Sequence, residues 1–514
     1  MQQPPVGIDL GTTNSAIAVI NPAGRPEIVP NEEGNRTTPS AVYYEEDGEI
    51  IVGSSALSAV QFDQDRVVLR AKRRMGDPSW AIQAHDRSWT ATDVSAQILA
   101  KVKRDAEATV GPIQYAVITV PAYFDEIRRK ATMDAAGQAG MEALRIINEP
   151  TAASLAYAHA LGKQGRLVVY DFGGGTFDVS VVNIRGEHDV EVIASEGDHE
   201  LGGSDLDDAL ARHYGEQLRA QGADVKEGTP DWMMLVAGAE RDKQALSKLK
   251  KLRGRAQWGS TLLNVELDRA GFEKLIRDYI IRTQMLVENA LTSAELKPDQ
   301  IDDVLLIGGS TRVPAVSDML AKMFGKPPVA PVNVDEAVAL GAALQAGVIM
   351  AKRGLISATP AAEKLKAATI QDVASHSYGT FAITNHHGTP KLRNNRIILK
   401  NSRIPTSVTK TYYTMSKGQQ VIECTVTQGE DADPEFVNVI KQDDLTLPAD
   451  LPDSSPIEIT YEYDANMRMK CTFLEPSSGK RKEFILDQSG REVAEEKPAE
   501  TNDTEEADFD DLRL

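Results

Sequence analysis

Two short segments carry the residue types that handle a polyphosphate. One is Asp9-Leu10-Gly11-Thr12-Thr13-Asn14; the other, far along the chain, is Asp171-Phe172-Gly173-Gly174-Gly175-Thr176. A triphosphate needs several hydrogen-bond donors at close range. Glycine lets backbone N–H groups approach with no Cβ in the way, and threonine hydroxyls add donors. The acids at the strand ends, Asp9 and Asp171, suit a hydrated Mg2+, which favours a few carboxylates plus water. Either segment alone reads equally as a tight β-turn. Their recurrence in one order, each followed by a second strand, points to two related lobes facing each other across one nucleotide.

Other segments extend this site. Gly308-Gly309-Ser310-Thr311-Arg312 follows an apolar run and precedes helical sequence, a usual ligand position at a sheet edge. Arg312 could stack on a planar base or be an exposed turn residue. Gly202-Gly203 precedes Asp205, a phosphate contact or an ordinary acidic helix start. Lys72 sits in Ala71-Lys72-Arg73-Arg74, by residue type alone a solvated basic surface. Glu149, before Pro150, reads as a helix-entry acid. The chain has no Gly-x-x-x-x-Gly-Lys-Ser/Thr loop, no Gly-x-Gly-x-x-Gly after a strand, no His-Glu-x-x-His and no Gly-x-Ser-x-Gly, so it is not a P-loop enzyme and lacks other common catalytic signatures.

The elements needed to hold these residues are legible as periodicity. Val6 to Leu10, Ser15 to Ile20, Ala116 to Val120, Leu167 to Tyr170, Val179 to Ile184 and Val304 to Ile307 read as strands; Asp125 to Ala139 and Phe272 to Leu291 read as helices. This is an α/β pattern to about Met350. Residues 351–369 read as a linker with some helix around Ala361 to Ala367. From Ile370 to about 487 the texture becomes short strands and turns, including Val421 to Val426 and Ile457 to Tyr463, an all-β module. Residues 488–514 read as an acidic disordered tail.

Bulk properties bound the function. The 514 residues exceed one ordinary core, and the net charge of -20 opposes binding to nucleic acid or anionic membranes. Cys424 and Cys471 are too few for a zinc site and read as free thiols. Met1 to Pro5 show no basic stretch before an apolar run, and no run of about 18 apolar residues occurs. The expectation is a cytoplasmic protein.

Taken together these segments resemble the 70-kDa heat-shock (DnaK-like) chaperone family. The matching stretches are Gly7 to Asn14, Ile118 to Phe124, Arg145 to Ala153, Tyr170 to Asp178, Gly308 to Arg312 and Asn333 to Ala337. The resemblance covers residues 4–350 with high specificity and the β module more distantly. It implies an α/β actin-like ATPase of two lobes and four subdomains (1–350), followed by an all-β sandwich that binds substrate (370–487). By position, Gly11, Thr12, Thr13, Asn14, Gly173, Gly174, Gly175 and Thr176 hold phosphates of ATP or ADP. Asp9 and Asp171 hold hydrated Mg2+, with K+ nearby. Lys72, Glu149, Asp171, Thr176 and Asp178 serve catalysis by placing the attacking water. Gly202 and Gly203, with Glu240, Lys243, Ser247, Gly309, Ser310, Arg312 and Asp335, contact the nucleotide. Pro121 and Arg129 match an interdomain relay, Arg145 a docking surface for linker and J-domain partners, and Val421 the peptide groove.

The resemblance also implies unfolded polypeptide clients, a J-domain co-chaperone and a nucleotide exchange factor. Three departures stand out. Gln244 replaces a frequent Arg, the stretch Trp80 to Thr92 is short, and residues 351–369 are longer and more polar than the family's leucine-rich linker. The family's helical lid has no counterpart in the acidic tail, so the expectation is a short, lidless member. An ATP-switched scaffold for a dedicated folded partner, and a small-molecule kinase, are the competing readings.

Overall fold

The computed structural model describes residues 3–486 apart from 187–188, 224, 259–260, 331–332, 358, 387–388 and 465–467. The expected tail lies outside the described residues. The chain divides into two units, Met1–Ile370 and Gln371–Leu514.

The first unit uses one plan twice. In one sheet β1 (Val6–Asp9) pairs antiparallel with β2 (Asn14–Ile20) and parallel with β3 (Tyr115–Val120), which pairs parallel with β4 (Glu142–Asn148). In the other, β5 (Gly165–Phe172) pairs antiparallel with β6 (Phe177–Gly186), β6 with β7 (Asp189–Asp198), and β5 pairs parallel with β8 (Asp303–Ile307). Each plan is thus a hairpin whose first strand, with an aspartate at or next to its last residue (Asp9, Asp171), also has a parallel neighbour. β3 and β8 are near-continuous apolar runs because parallel strands are covered on both faces.

Each sheet has its own core. Ile8, Val94, Leu99 and Ile118 belong to the first. Val168, Tyr170, Phe172 and Phe177 belong to the second, where the rings of Tyr170 and Phe177 meet edge-on at 4.7 Å between centroids. Four helices matter for the site: α1 (Glu149–Leu161), α2 (Gly203–Ala220), α3 (Pro230–Lys248) and α4 (Ala337–Lys352). α4 is apolar nearly all round because it packs on α1, β1, β2 and β3 at once.

One expectation differs in detail, and the expected helix in the connecting stretch is present. The stretch read as one helix from Phe272 to Leu291 is two, Arg269–Leu275 and Arg277–Ser293. Ile276 leaves helical dihedrals (φ -96°, ψ 2°) between them, and both Phe272 and Ile276 stay buried in the second core. Within the polar connecting stretch, Pro360–Lys366 is a helix capped by Thr359. Ala362 and Leu365, three apart on one face, are buried, and the helix packs on α4.

The second unit holds two four-stranded antiparallel sheets. One runs in the order Thr389–Ile398, Tyr378–His386, Val421–Gln428, Asn438–Thr446; the other Thr406–Tyr413, Pro456–Tyr463, Met469–Glu475, Lys480–Leu486. Strict alternation buries Ile457, Ile459, Tyr461 and Tyr463 in the core with Phe473, Cys424 and Cys471. Both cysteines are buried and outside any disulfide, and burial pushes the Cys424 thiol up to about 12, an inert state. Among the described residues no helix is long and apolar enough to cross a membrane.

Candidate functional site

The two glycine turns meet. A Cβ placed on Gly174 would lie 2.0 Å from the Thr13 hydroxyl oxygen, so only glycine lets the second turn approach the first this closely. The same holds for Gly203, where a Cβ would fall 2.2 Å from Ser310 Oγ. Backbone bonds set these contacts. Gly173 N–H donates to the Thr176 carbonyl, while Gly203 N–H (2.9 Å) and Ser310 Oγ (2.8 Å) both donate to the Gly173 carbonyl. Ser204 N–H donates to the Gly174 carbonyl. The start of α2 and the Gly309-Ser310 turn are therefore tied to the second glycine turn. Ser40 does the same for the first, donating from Oγ to the Gly11 carbonyl (2.8 Å) and from N–H to the Thr13 carbonyl.

Between the turns opens a cleft of about 1380 Å³. Asp9, Gly11, Thr12, Thr13, Asn14, Lys72, Glu149, Asp171, Gly173, Gly174, Thr176 and Gly203 line it, and so do Glu240, Lys243, Ser247, Gly309, Ser310, Arg312 and Asp335. Gly175, Gly202 and Asp178 sit just behind. Gly202 is packed on Gly175, and Asp178, 1% exposed, accepts from the Tyr123 N–H at 3.2 Å.

Lys72, in a basic run by sequence, is buried, with Nζ 2.5 Å from Glu149 Oε1 and 5.8 Å from the Phe124 ring centre. Lys243 reaches from α3 to Asp207 Oδ1 at 2.7 Å and to the Gly203 carbonyl at 3.1 Å. Arg312 and Asp335 form a two-pronged ion pair, 2.6 and 3.1 Å, at the half-exposed end of the cleft. Ser247 Oγ is engaged with the Lys243 carbonyl, and Gln244 lies beside Glu240 at 3.5 Å.

The acids are poised for a cation. Burial, then Glu149, pushes Asp9 up to about 7, although Thr119 Oγ1 donates to it at 3.1 Å. Burial, Glu149 and Asp178 hold Asp171 well above the usual carboxylate range. Burial and Glu149 push Asp178 up to about 8. Burial also raises Asp207 to about 6, against the pull of Lys243. Carboxylates crowded with too little positive charge favour a bound cation. Among the described residues, the one group of three potential ligands close enough to share an ion directly is Glu45, Asp47 and Glu49, elsewhere. Asp9 and Asp171 are acids lining the cleft that could hold a cation.

Other expected residues lie outside the cleft lining. Arg129 is 2% exposed and donates to the carbonyls of Phe124 (3.0 Å) and Ala122 (3.2 Å) and to Asn148 Oδ1 at 2.6 Å. It grips the segment after Pro121 and the residue before Glu149. Arg145 lies buried on β4. Val421, 46% exposed, opens a strand of the second unit. Sequence reasoning missed Ser40, Arg73 and Asp207. Asp207 stood in the acid-rich helix start after Gly203; Ser40 carried no signal, and Arg73 only its place beside Lys72.

The chain was compared with known proteins. The Hsp70 protein family model matches residues 5–85 and 77–513. Chaperone protein DnaK of Thermosipho melanesiensis is 38% identical over 507 residues, covering 95% of this chain and 80% of that protein. The DnaK of Thermotoga maritima is 38% identical over 494 residues, 94% of this chain and 80% of its own length. Matched across nearly its whole length by the family model and by these relatives, this chain belongs to the Hsp70 family.

Proposed function

We propose that this chain is an ATP-dependent chaperone: an actin-like ATPase unit, of four subdomains around a cleft, works with a β-sandwich that takes extended polypeptide segments. The convergence of the Gly11–Asn14 and Gly173–Thr176 turns on Lys72 and the buried acids carries this reading. Backbone donors of both turns and the threonine hydroxyls hold the phosphates. Arg312, Glu240, Lys243, Ser247 and Asp335 hold the adenosine side. Mg2+ held through water by Asp9 and Asp171, with K+ as a further counter-ion, supplies charge neutralisation on the phosphates.

Lys72 stabilises charge on the γ-phosphate and, with Glu149 and Thr176, fixes the water in line with the leaving oxygen. As water adds to phosphorus and the bond to the β-phosphate oxygen breaks, its proton passes to a nearby carboxylate. Asp178, just behind the lining near Thr176, takes that role in its ionised form, which burial makes the minor form at neutral pH. Pro121, Arg129 and Arg145 relay the nucleotide state, and Val421 lines the peptide groove. A J-domain co-chaperone and a nucleotide exchange factor complete the cycle, in the cytoplasm.

The test is release of a labelled unfolded polypeptide, with ADP and with ATP. Binding with ADP that ATP accelerates away supports the chaperone. No binding to any unfolded chain, with ATP-dependent binding of one folded partner, supports a scaffold instead.

A further inference from the structure

Arg73 follows Lys72 but does not line the cleft. Its guanidinium faces the other lobe. Nε donates to the Gly175 carbonyl at 2.9 Å, and Nη2 donates to Asp205 Oδ2 at 2.5 Å. That same Asp205 oxygen accepts the Gly202 N–H at 2.7 Å, closing the start of α2. Three residues earlier, Arg70 points its Nη1 at Asp208 Oδ2, 3.9 Å away. Arg73, in the 3-10 turn Ala71–Arg74, and Arg70, just before that turn, thus oppose two aspartates three apart on one face of a helix. Arg70 adopts left-handed backbone (φ 59°), uncommon for a residue with a Cβ. All four side chains are partly buried, between 19% and 31% exposed, where such pairs are less screened than on an open surface. A planar guanidinium bridging a carbonyl and a carboxylate fixes direction as well as distance.

We infer that Arg73, backed by Arg70, is a positioning residue that fixes Lys72 of one lobe against the phosphate turn of the other. This rests on the catalytic role proposed for Lys72. Lys72 and Thr176 belong to different lobes, so no local structure sets their separation. Arg73 binds the carbonyl next to Thr176 while its own backbone adjoins that of Lys72. The latch therefore transmits the position of the second turn to Lys72 through one peptide unit.

The experiment measures single-turnover ATP hydrolysis and nucleotide affinity for Arg73→Ala, Lys72→Ala and the double variant of the full chain. The expected result is a rate loss of about 10- to 100-fold for Arg73→Ala, the scale of a small misplacement, with nucleotide affinity within about threefold. The double variant should be no slower than Lys72→Ala alone, because Arg73 acts through Lys72. A merely structural arginine would lower affinity and melting temperature together, and its rate loss would multiply with that of Lys72→Ala. That outcome, or a normal rate for Arg73→Ala, overturns the inference. A normal rate for Lys72→Ala overturns the Lys72 assignment and this inference with it.

If Arg73→Ala does not fold, Asp205→Asn takes its place, since Asn keeps the acceptor for Gly202 but removes the charge. It should show the same rate loss, and a normal rate for it overturns the latch. The exchange Arg70→Asp with Asp208→Arg should recover rate lost by Arg70→Asp alone, and no recovery removes Arg70 from the latch.

Discussion

Lys72 and Glu149 meet at 2.5 Å in the floor of the cleft, both nearly sealed from water, from segments 77 residues apart. Glu149 also raises the carboxyls of Asp9, Asp171 and Asp178. Lys72 is thus a cation that offsets these acids within the cavity.

Removing it should have two separable consequences. Lys72→Ala should hydrolyse ATP about 10²-fold or more slowly while still binding it. It should also destabilise the nucleotide-free protein by about 3–5 kcal/mol, because Glu149 is left buried and unpaired. Lys72→Ala with Glu149→Gln should recover most of the melting temperature and none of the hydrolysis. Near-normal single-turnover hydrolysis by Lys72→Ala would return the residue to a structural role.

Mg2+-dependent nucleotide binding should strengthen between pH 6 and pH 8. Burial and Glu149 push Asp9 up to about 7, far above an ordinary carboxyl. The folded protein therefore holds this proton at pH 6, and metal binding must displace it. The contribution is about tenfold in affinity over that range, for one group titrating near 7. Titrations of nucleotide with and without Mg2+ at each pH decide it, since metal-free nucleotide should lack the dependence. Asp9→Asn or Asp171→Asn should weaken the Mg2+-dependent part selectively; an equal loss in both titrations would make these acids structural.

Asp178→Asn should stabilise the nucleotide-free protein at pH 8 while impairing hydrolysis. Burial raises this carboxyl to about 8. Its folded pKa lies above its unfolded one, so stability falls as pH rises from about 4 through 8. Asn still accepts from Tyr123 and carries no charge to bury. A gain of a few degrees in Tm at pH 8, shrinking towards pH 4, is expected. No gain at pH 8 would mean the carboxylate is compensated by a group other than those around it here.

Gly174→Ala should cost nucleotide affinity more than stability. The added methyl meets Thr13 Oγ1 at 2.0 Å, so the turns must part and their donors no longer converge on one phosphate chain. Isothermal titration should show at least about a tenfold loss, consistent with one or two lost charge-assisted hydrogen bonds. Unchanged affinity would mean the turns are already apart when nucleotide binds.

Much of this protein was legible in its sequence because the signals are local. The Asp–glycine–threonine turns, the alternation of Pro456–Tyr463 and the apolar runs of β3 and β8 each follow from dihedral freedom or burial over a few residues. The repeated order of acid and glycine even implied two facing lobes. Tertiary structure alone decided the rest. Lys72 and Arg73 read as a solvated basic run, yet one is sealed against Glu149 and the other spans to Gly175 and Asp205. Ser40 carries no signal in the sequence, yet it braces the first turn. The helix expected through Ile276 breaks where core packing overrides helical periodicity. In each case the deciding partner is remote in sequence. Whether a charge is solvated or buried depends on what the fold places opposite it, and residue type and spacing carry no record of that.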